Sequence, residues 1–340
     1  MTITISVDVM GGDYGPPKII PGVKLALDFY LSENHHHNIH FLLFGDENKI
    51  RSYLKFETLL YKHCTIVHKD LSVSNNEKPA QIVRLGVKTS LGSAVKAVAT
   101  GDAHAVVSCA NTGAFMALSK IYIKTFKGVL RPAIPAFIPT TKGLSLMLDL
   151  GANIKCSPQM LLQFALMGAI YINAYLGIKK PTIGILNIGI EEMKGTEAVQ
   201  EAAQLFKAHK SINYKGFIEG NKIATGEMDV IVTDGFTGNI ALKTLQGTAT
   251  LITHLLKDAF SNTFLSKLGY LLCKKSLSKA YKIVDKRYYN GAPFLGLRGI
   301  AIKSHGDSDA VGVANAIKVA IEMAKNKLPE RIEKQLMMDT

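Results

Sequence analysis

Cysteine is scarce: Cys64, Cys109, Cys156 and Cys273 stand far apart in 340 residues, with no CxxC pair. That spacing argues against a zinc ribbon or a disulfide framework and fits a reducing cytoplasm. No uninterrupted apolar stretch reads as long enough to span a bilayer. No signal peptide is expected, because residues 1–9 already read as a strand. The nucleotide and hydrolase signatures are missing too. There is no Walker A sequence, no G-x-S-x-G elbow, and "GGDYGP" is not G-x-G-x-x-G. Acidic residues are the minority, 27 against 40 Lys plus Arg, a net charge of +13. The excess favours anionic partners: phosphates, an acidic protein, an anionic membrane surface or nucleic acid. For nucleic acid no reading motif accompanies the charge. The run "HHHNIH", residues 35–40, raises a metal reading, but it has no obvious carboxylate or cysteine partner and is expected to be a solvated loop.

What the chain does have is a core. It is 47% hydrophobic, and short apolar strands alternate with helical spacing along it. "TITISVDVM" precedes "KIIPGVKLALDFYL"; "IHFLLFGD" and "AHAVVSCANTG" each lead into a helix. "LSLMLDLGANI", "TIGILNIG" and "MDVIVTDGFTGN" do the same. The pattern predicts an α/β fold, a mostly parallel sheet sandwiched by helices. Residues 1–330 are expected to form one catalytic unit, or two intimately joined lobes with any second lobe inserted, and 331–340 a variable tail.

Polar and glycine-rich residues collect where strands lead into helices: "VDVMGGDYG", "SCANTG", "LDLGAN", "LNIGIEEMKG", "VTDGFTGN" and "KSHGDSD". In open parallel sheets, ligands bind outside the carboxyl ends of the strands. Gly11, Gly12, Gly113, Gly235 and Gly238 would let backbone amides approach an oxyanion at helix N-termini. Asn111 and Asn239 add amide donors, Lys194 and Lys303 mobile positive charge. The same glycines also make tight turns, and Asn, Thr and Asp also cap helices. Asp8, Asp13, Asp149 and Asp234 could hold lysines, orient a histidine or bind a metal; capping is the preferred reading for Asp149. His305 could bind an oxyanion or protonate a leaving group, or be structural. Cys109 ends a buried strand and reads as a core thiol rather than a nucleophile.

Residues 260–287 break the alternation. On a helical wheel Phe264, Leu265, Leu268, Leu271 and Leu272 share a side, flanked by Lys267 and Lys274 and followed by further lysines. Such a basic amphipathic helix can lie on a membrane, dock on an acidic protein or pack against a second subunit.

As an ordered set, "VDVMGGDYGP", "SCANTGAFMA", "LDLGANIKC", "LNIGIEEMKG", "FIEGNKI", "VTDGFTGNIALKTLQG" and "LRGIAIKSHGDSD" cover nearly the whole chain. In them the chain resembles the PlsX family of phosphate acyltransferases in bacterial phospholipid synthesis. The resemblance implies a fold like that of isocitrate and isopropylmalate dehydrogenases and phosphotransacetylase. It implies transfer of a long-chain acyl group from acyl carrier protein to inorganic phosphate, by direct attack of bound phosphate on the thioester, with no cofactor and no metal. It further implies a homodimer in the cytoplasm, peripherally associated with the inner face of the cell membrane through Phe264, Leu268 and Leu272. A membrane glycerol-3-phosphate acyltransferase would take the product. Lys194, His305 and Asp234 are the expected catalytic residues. Asp8, Gly11, Gly12, Asp13, Asn111, Thr112, Gly113, Asn153, Gly238, Asn239 and Lys303 are expected to bind phosphate or substrate. Two departures stand out: Asp307, where the family usually has a small or neutral residue, and Val9, where alanine is commoner. The competing readings are a phosphotransacetylase-like enzyme using coenzyme A thioesters, a decarboxylating dehydrogenase of the related fold, and a non-catalytic membrane or carrier-protein scaffold.

Overall fold

The computed structural model describes residues 2–33, 38–73 and 79–338. Its first half runs β1 (Thr2–Asp8), α1 (Pro16–Ser32), β2 (Asn38–Gly45), α2 (Glu47–Leu54), α3 (Thr58–Lys62), β3 (Cys64–His68), α4 (Pro79–Leu85), α5 (Ser90–Thr100), β4 (Ala105–Ser108) and α6 (Thr112–Tyr122). Then come β5 (Ala136–Thr140), β6 (Gly143–Leu148), α7 (Pro158–Leu176), β7 (Thr182–Asn187), α8 (Glu197–Ala208), β8 (Asn213–Glu219) and β9 (Val230–Val232). The chain finishes with α9 (Gly235–Ser261), α10 (Phe264–Val284), β10 (Ala292–Pro293), β11 (Ile300–Lys303), α11 (Ala310–Lys325) and α12 (Leu328–Met338).

Local chemistry fixes the helix ends. Pro16 opens α1 and Pro158 opens α7, positions where a missing N–H costs nothing. Asp46, Thr89, Ser157 and Asp309 cap their helices through side-chain oxygens. Gly101 and Gly177, at φ 84° and 75°, close α5 and α7 in the left-handed conformation that glycine reaches without strain.

The strands divide between two sheets. The first has the order β10-β11-β4-β1-β2-β3, the second β5-β6-β9-β7-β8. Within each, the pairs are parallel except β10 with β11 and β5 with β6. The chain builds the second sheet between β4 and β10. One apolar cluster joins the two sheets, from Val7, Phe41 and Ile317 through Phe126 and Leu295 to Leu148, Phe164 and Ile185.

Besides the two-residue β10, three strands have no clear signature in the sequence: β3, β5 and β8. All lie at sheet edges, where burial is partial and the residues mix polar with apolar. By length and composition α7 is apolar enough to cross a membrane. In the fold it buries Phe164, Met167, Ile170 and Tyr171, which makes it a core helix. Residues 260–287 do not form one amphipathic unit. α9 runs on to Ser261, and α10 returns alongside it as a helical hairpin, with Phe260 and Tyr270 rings 5.8 Å apart near the tip. His35, His36 and His37 lie outside the described residues; His40 pairs through Nε2 with Thr65 Oγ1 at 2.9 Å.

Candidate active site

At the carboxyl end of the first sheet, the loops after β1, β4 and β11 meet. The Asp13 N–H donates to the Gly306 carbonyl at 2.9 Å, and the Ser304 N–H to the Ser108 carbonyl at 2.9 Å. Gly12 has φ 81°, and a Cβ there would stand 2.7 Å from Cys109 Cβ and 2.9 Å from the Gly306 oxygen. Only glycine allows this approach of three backbones. Asp8 is buried, accepting from Ser90 Oγ at 2.7 Å and Ser108 Oγ at 2.8 Å. Burial pushes its carboxyl up, and those hydrogen bonds only partly offset the effect. Asn111 caps α6 by accepting from the Ala114 N–H, which places Thr112 and Gly113 in the first helical turn.

Lys303 ends β11 beside this junction. Its ammonium donates to the carbonyl of Cys109 at 3.4 Å and to that of Ser304. Burial lowers its pKa below the usual lysine range, while Cys109, Asp13 and Asp307 act in the opposite direction. A cation with a desolvated head and backbone carbonyls for partners is poised to exchange them for an anion. Cys109 itself is buried, and burial pushes its thiol up, away from a nucleophilic thiolate.

The loop that follows is braced from beneath. Asn290 Nδ2 donates to Ser304 Oγ at 2.8 Å and to Ser308 Oγ at 3.0 Å, and Asn290 Oδ1 accepts from the His305 N–H at 3.2 Å. Arg287 clamps Asp285 and also reaches Asp309, the cap of α11. His305 is exposed above this network. It lines two spaces at once. One is a polar cavity of about 190 Å³ with Arg287, Asp307 and Asp309. The other is an apolar groove of about 470 Å³ between β5, α9 and α10.

The second sheet carries its own cluster. Asp149 is fully buried and accepts from the N–H groups of Ile134, Ala152 and Asn153 and from Asn153 Nδ2, at 2.7 to 3.2 Å. Burial raises its pKa as well. The Asn153 amide also donates to the Pro132 carbonyl, so its NH2 is engaged within the loop. Asp234 caps α9 through the N–H and Oγ1 of Thr237. Gly235 and Gly238 lie in the first turn of that helix rather than in a loop before it. A Cβ on Gly238 would come within 2.1 Å of the Asp149 carbonyl oxygen, so close packing is what demands glycine here. Asn239 lies against Gly151. Lys194 is exposed on the loop after β7, held by its backbone to Glu191 and Asn187.

The expected site residues thus fall into two groups. Asp8, Gly11, Gly12, Asp13, Asn111, Thr112, Gly113 and Lys303 gather on the first sheet. Asn153, Asp234, Gly238 and Asn239 gather on the second, with Lys194 on a neighbouring loop, and His305 faces the groove alongside α9. Sequence reading missed the supports: Ser90, Ser108, Asn290, Ser304, Ser308 and Arg287. Isolated serines carry no periodicity; Ser108, which opens SCANTG, and Ser304 and Ser308, four apart inside the KSHGDSD loop, had a signal that could have been followed.

The arrangement belongs to the phosphotransacetylase fold class. A phosphotransacetylase from Streptococcus pyogenes superposes with a TM-score of 0.64 over 95% of this chain and 94% of its own, at 15% identity. A branched-chain phosphotransacylase from Enterococcus faecalis V583 gives 0.58 over 95% and 99%, at 16%. Residues 3–331 match the family model described as fatty acid synthesis protein. The phosphate acyltransferase of Paramagnetospirillum magneticum is 47% identical over 334 residues, 98% of this chain and 93% of that relative. The one from Rhodospirillum rubrum is 45% identical, over 98% and 95%. The chain belongs to this family, the PlsX family of phosphate acyltransferases, and is an acyltransferase enzyme.

Proposed function

We propose that the enzyme transfers a long-chain acyl group from acyl carrier protein to inorganic phosphate, giving acyl phosphate and the free carrier thiol. One observation carries the reading: the end of β11 and the loop after it offer a half-buried lysine, Lys303, to a polar junction of three backbones and His305 to an apolar groove. An anion and a hydrocarbon are the two chemical classes that such a loop can hold side by side.

A phosphate oxygen attacks the thioester carbonyl carbon directly, the carbonyl π electrons move onto its oxygen, and collapse of the tetrahedral intermediate breaks the C–S bond. The thiolate leaves with the electron pair and takes a proton from His305 or water. Lys303 and the amides around Gly12 and Gly306 hold the phosphate in line. Lys194, with Asn111 and Asn239, steadies the developing oxyanion. Asp234 acts through its cap of α9, positioning the turn that carries Gly238 and Asn239. No acyl-enzyme forms in this scheme.

The net charge of +13 suits an acidic carrier protein. The apolar face of α10 suits a lipid surface: Phe264 and Leu272 are each 81% exposed, with Lys267, Lys274 and Lys275 close in sequence. We assign the enzyme to the cytoplasmic face of the membrane, as a homodimer, delivering acyl phosphate to a membrane glycerol-3-phosphate acyltransferase.

The test mixes purified protein, palmitoyl-acyl carrier protein and inorganic phosphate, follows free thiol and traps acyl phosphate with hydroxylamine. Phosphate-dependent release of both supports the transferase. Thiol release without acyl phosphate makes it a thioesterase, and preference for palmitoyl-coenzyme A under the same conditions replaces the donor. Liposome flotation with no turnover would leave a scaffold.

A further inference from the structure

We infer that the groove between β5 and the α9–α10 hairpin is the acyl-chain site, with the carboxyl end of the chain at His305 and its tail toward the hairpin tip. This rests on the transferase reading and deepens it. Leu242, Leu245, Ala249, Ile252 and Leu256 all line the groove. They recur at three- and four-residue spacing and so share one face of α9. From Leu242 to Leu256 that face is about 21 Å long. An extended hydrocarbon of about 16 carbons, with bonds near 1.5 Å, has a comparable length. The volume of about 470 Å³ lies within the ~300–1,000 Å³ of small-molecule sites.

Orientation follows from the hairpin. The Phe260–Tyr270 ring contact places its tip at the far end, so Leu256 and Leu277 lie tipward while Tyr289 and His305 lie at the catalytic end. Ile252 and Leu256 line the groove yet remain 51% and 37% exposed. Such an apolar surface calls for a cover. Three features together identify the cover as an acyl chain. The groove is continuous with the catalytic loop through His305, its apolar stripe has the length of a fatty acyl chain, and its distal end leads toward the exposed Phe264, Leu268 and Leu272. A product lying there already points its tail at the proposed lipid contact.

Two measurements on the full chain test this. Binding of hexadecylphosphonate, at submicellar concentration, is read by calorimetry for the wild type, Ala249→Trp and Leu256→Trp. Turnover is read with decanoyl- and hexadecanoyl-acyl carrier protein. Filling the groove should weaken hexadecylphosphonate binding about tenfold in Ala249→Trp and shift the hexadecanoyl-to-decanoyl ratio about tenfold toward decanoyl in Leu256→Trp. Leu256 is partly exposed, so that variant reads the groove even where Ala249→Trp fails to fold. Folded variants with unchanged binding and an unchanged ratio overturn the assignment. So does loss of self-association with binding intact, which makes the groove a subunit interface. Wild-type binding that Ala249→Trp removes, without phosphate-dependent turnover, keeps the groove and discards the transferase. Turnover with no change in chain-length ratio does the reverse.

Discussion

Two buried aspartates, Asp8 at the end of β1 and Asp149 just after β6, stand at the carboxyl ends of strands in different sheets, and they are held differently. Asp149 is gripped by three backbone N–H groups and the Asn153 amide, donors that cannot turn away. Asp8 is held chiefly by the hydroxyls of Ser90 and Ser108, which can rotate and both donate and accept, with the Met10 backbone as a further donor. Both carboxylates are pushed up by burial. The first arrangement ties a loop to the N-terminus of α9 and leaves little freedom. The second keeps adaptable groups next to Lys303 and the Gly12–Gly306 junction. The second sheet therefore supplies rigid geometry, while the first supplies the groups that can exchange partners with a ligand.

Removing the Asp149 carboxylate is the largest expected break in that comparison. Asp149→Ala strands several buried N–H groups and should cost about 3 kcal/mol or more of stability by chemical denaturation. A loss below about 1 kcal/mol would mean water replaces it easily. The paired test is subtler. Asp149→Asn sets an NH2 against fixed N–H donors and should cost about 1–3 kcal/mol. Asp8→Asn meets hydroxyls that can turn, and it removes a carboxylate whose raised pKa marks a cost when ionised at neutral pH. It should stay within about 1 kcal/mol of the wild type while losing turnover. Equal losses in the two Asn variants would erase the distinction.

Next in size is a pH effect. Burial lowers the Lys303 pKa, so its charge is lost as pH rises through a value below the ordinary lysine range of about 10.4. The kcat/KM for phosphate should fall along that alkaline limb, and Lys303→Arg should flatten it. An unaltered limb in the Arg variant would assign it to another group. The smallest effect belongs to Asp307. It is exposed, and its negative charge opposes both the burial effect on Lys303 and the approach of an anion. Asp307→Ala should lower the phosphate KM only about twofold, given screening at the surface. A rise in KM would show that Asp307 serves the site through Lys303.

Much of this was legible in the sequence. The alternation of apolar strands and helices gave the fold class, and the polar loops gave the strand ends where Asp8, Gly12, Lys303 and His305 stand. The division into two sheets was left open, as one unit or two joined lobes, because strand order depends on long-range pairing that local periodicity does not carry. Edge strands β3, β5 and β8 were hidden by their mixed composition. Gly235 and Gly238 read as loop residues, yet they start α9, since contact with Asp149 and not turn geometry dictates them. Ser90 and Asn290 were invisible: each is an unremarkable polar residue until the fold brings it to Asp8 or Ser304.

The account turns on Lys303 as the phosphate holder, and steady-state kinetics of Lys303→Met tests it most directly, with phosphate and palmitoyl-acyl carrier protein varied separately. Loss of one charge-assisted donor should reduce kcat/KM for phosphate about 10²-fold or more, leaving the KM for the carrier thioester within about twofold. A folded variant with unchanged phosphate dependence would contradict the assignment and move the anion site to the loops of the second sheet.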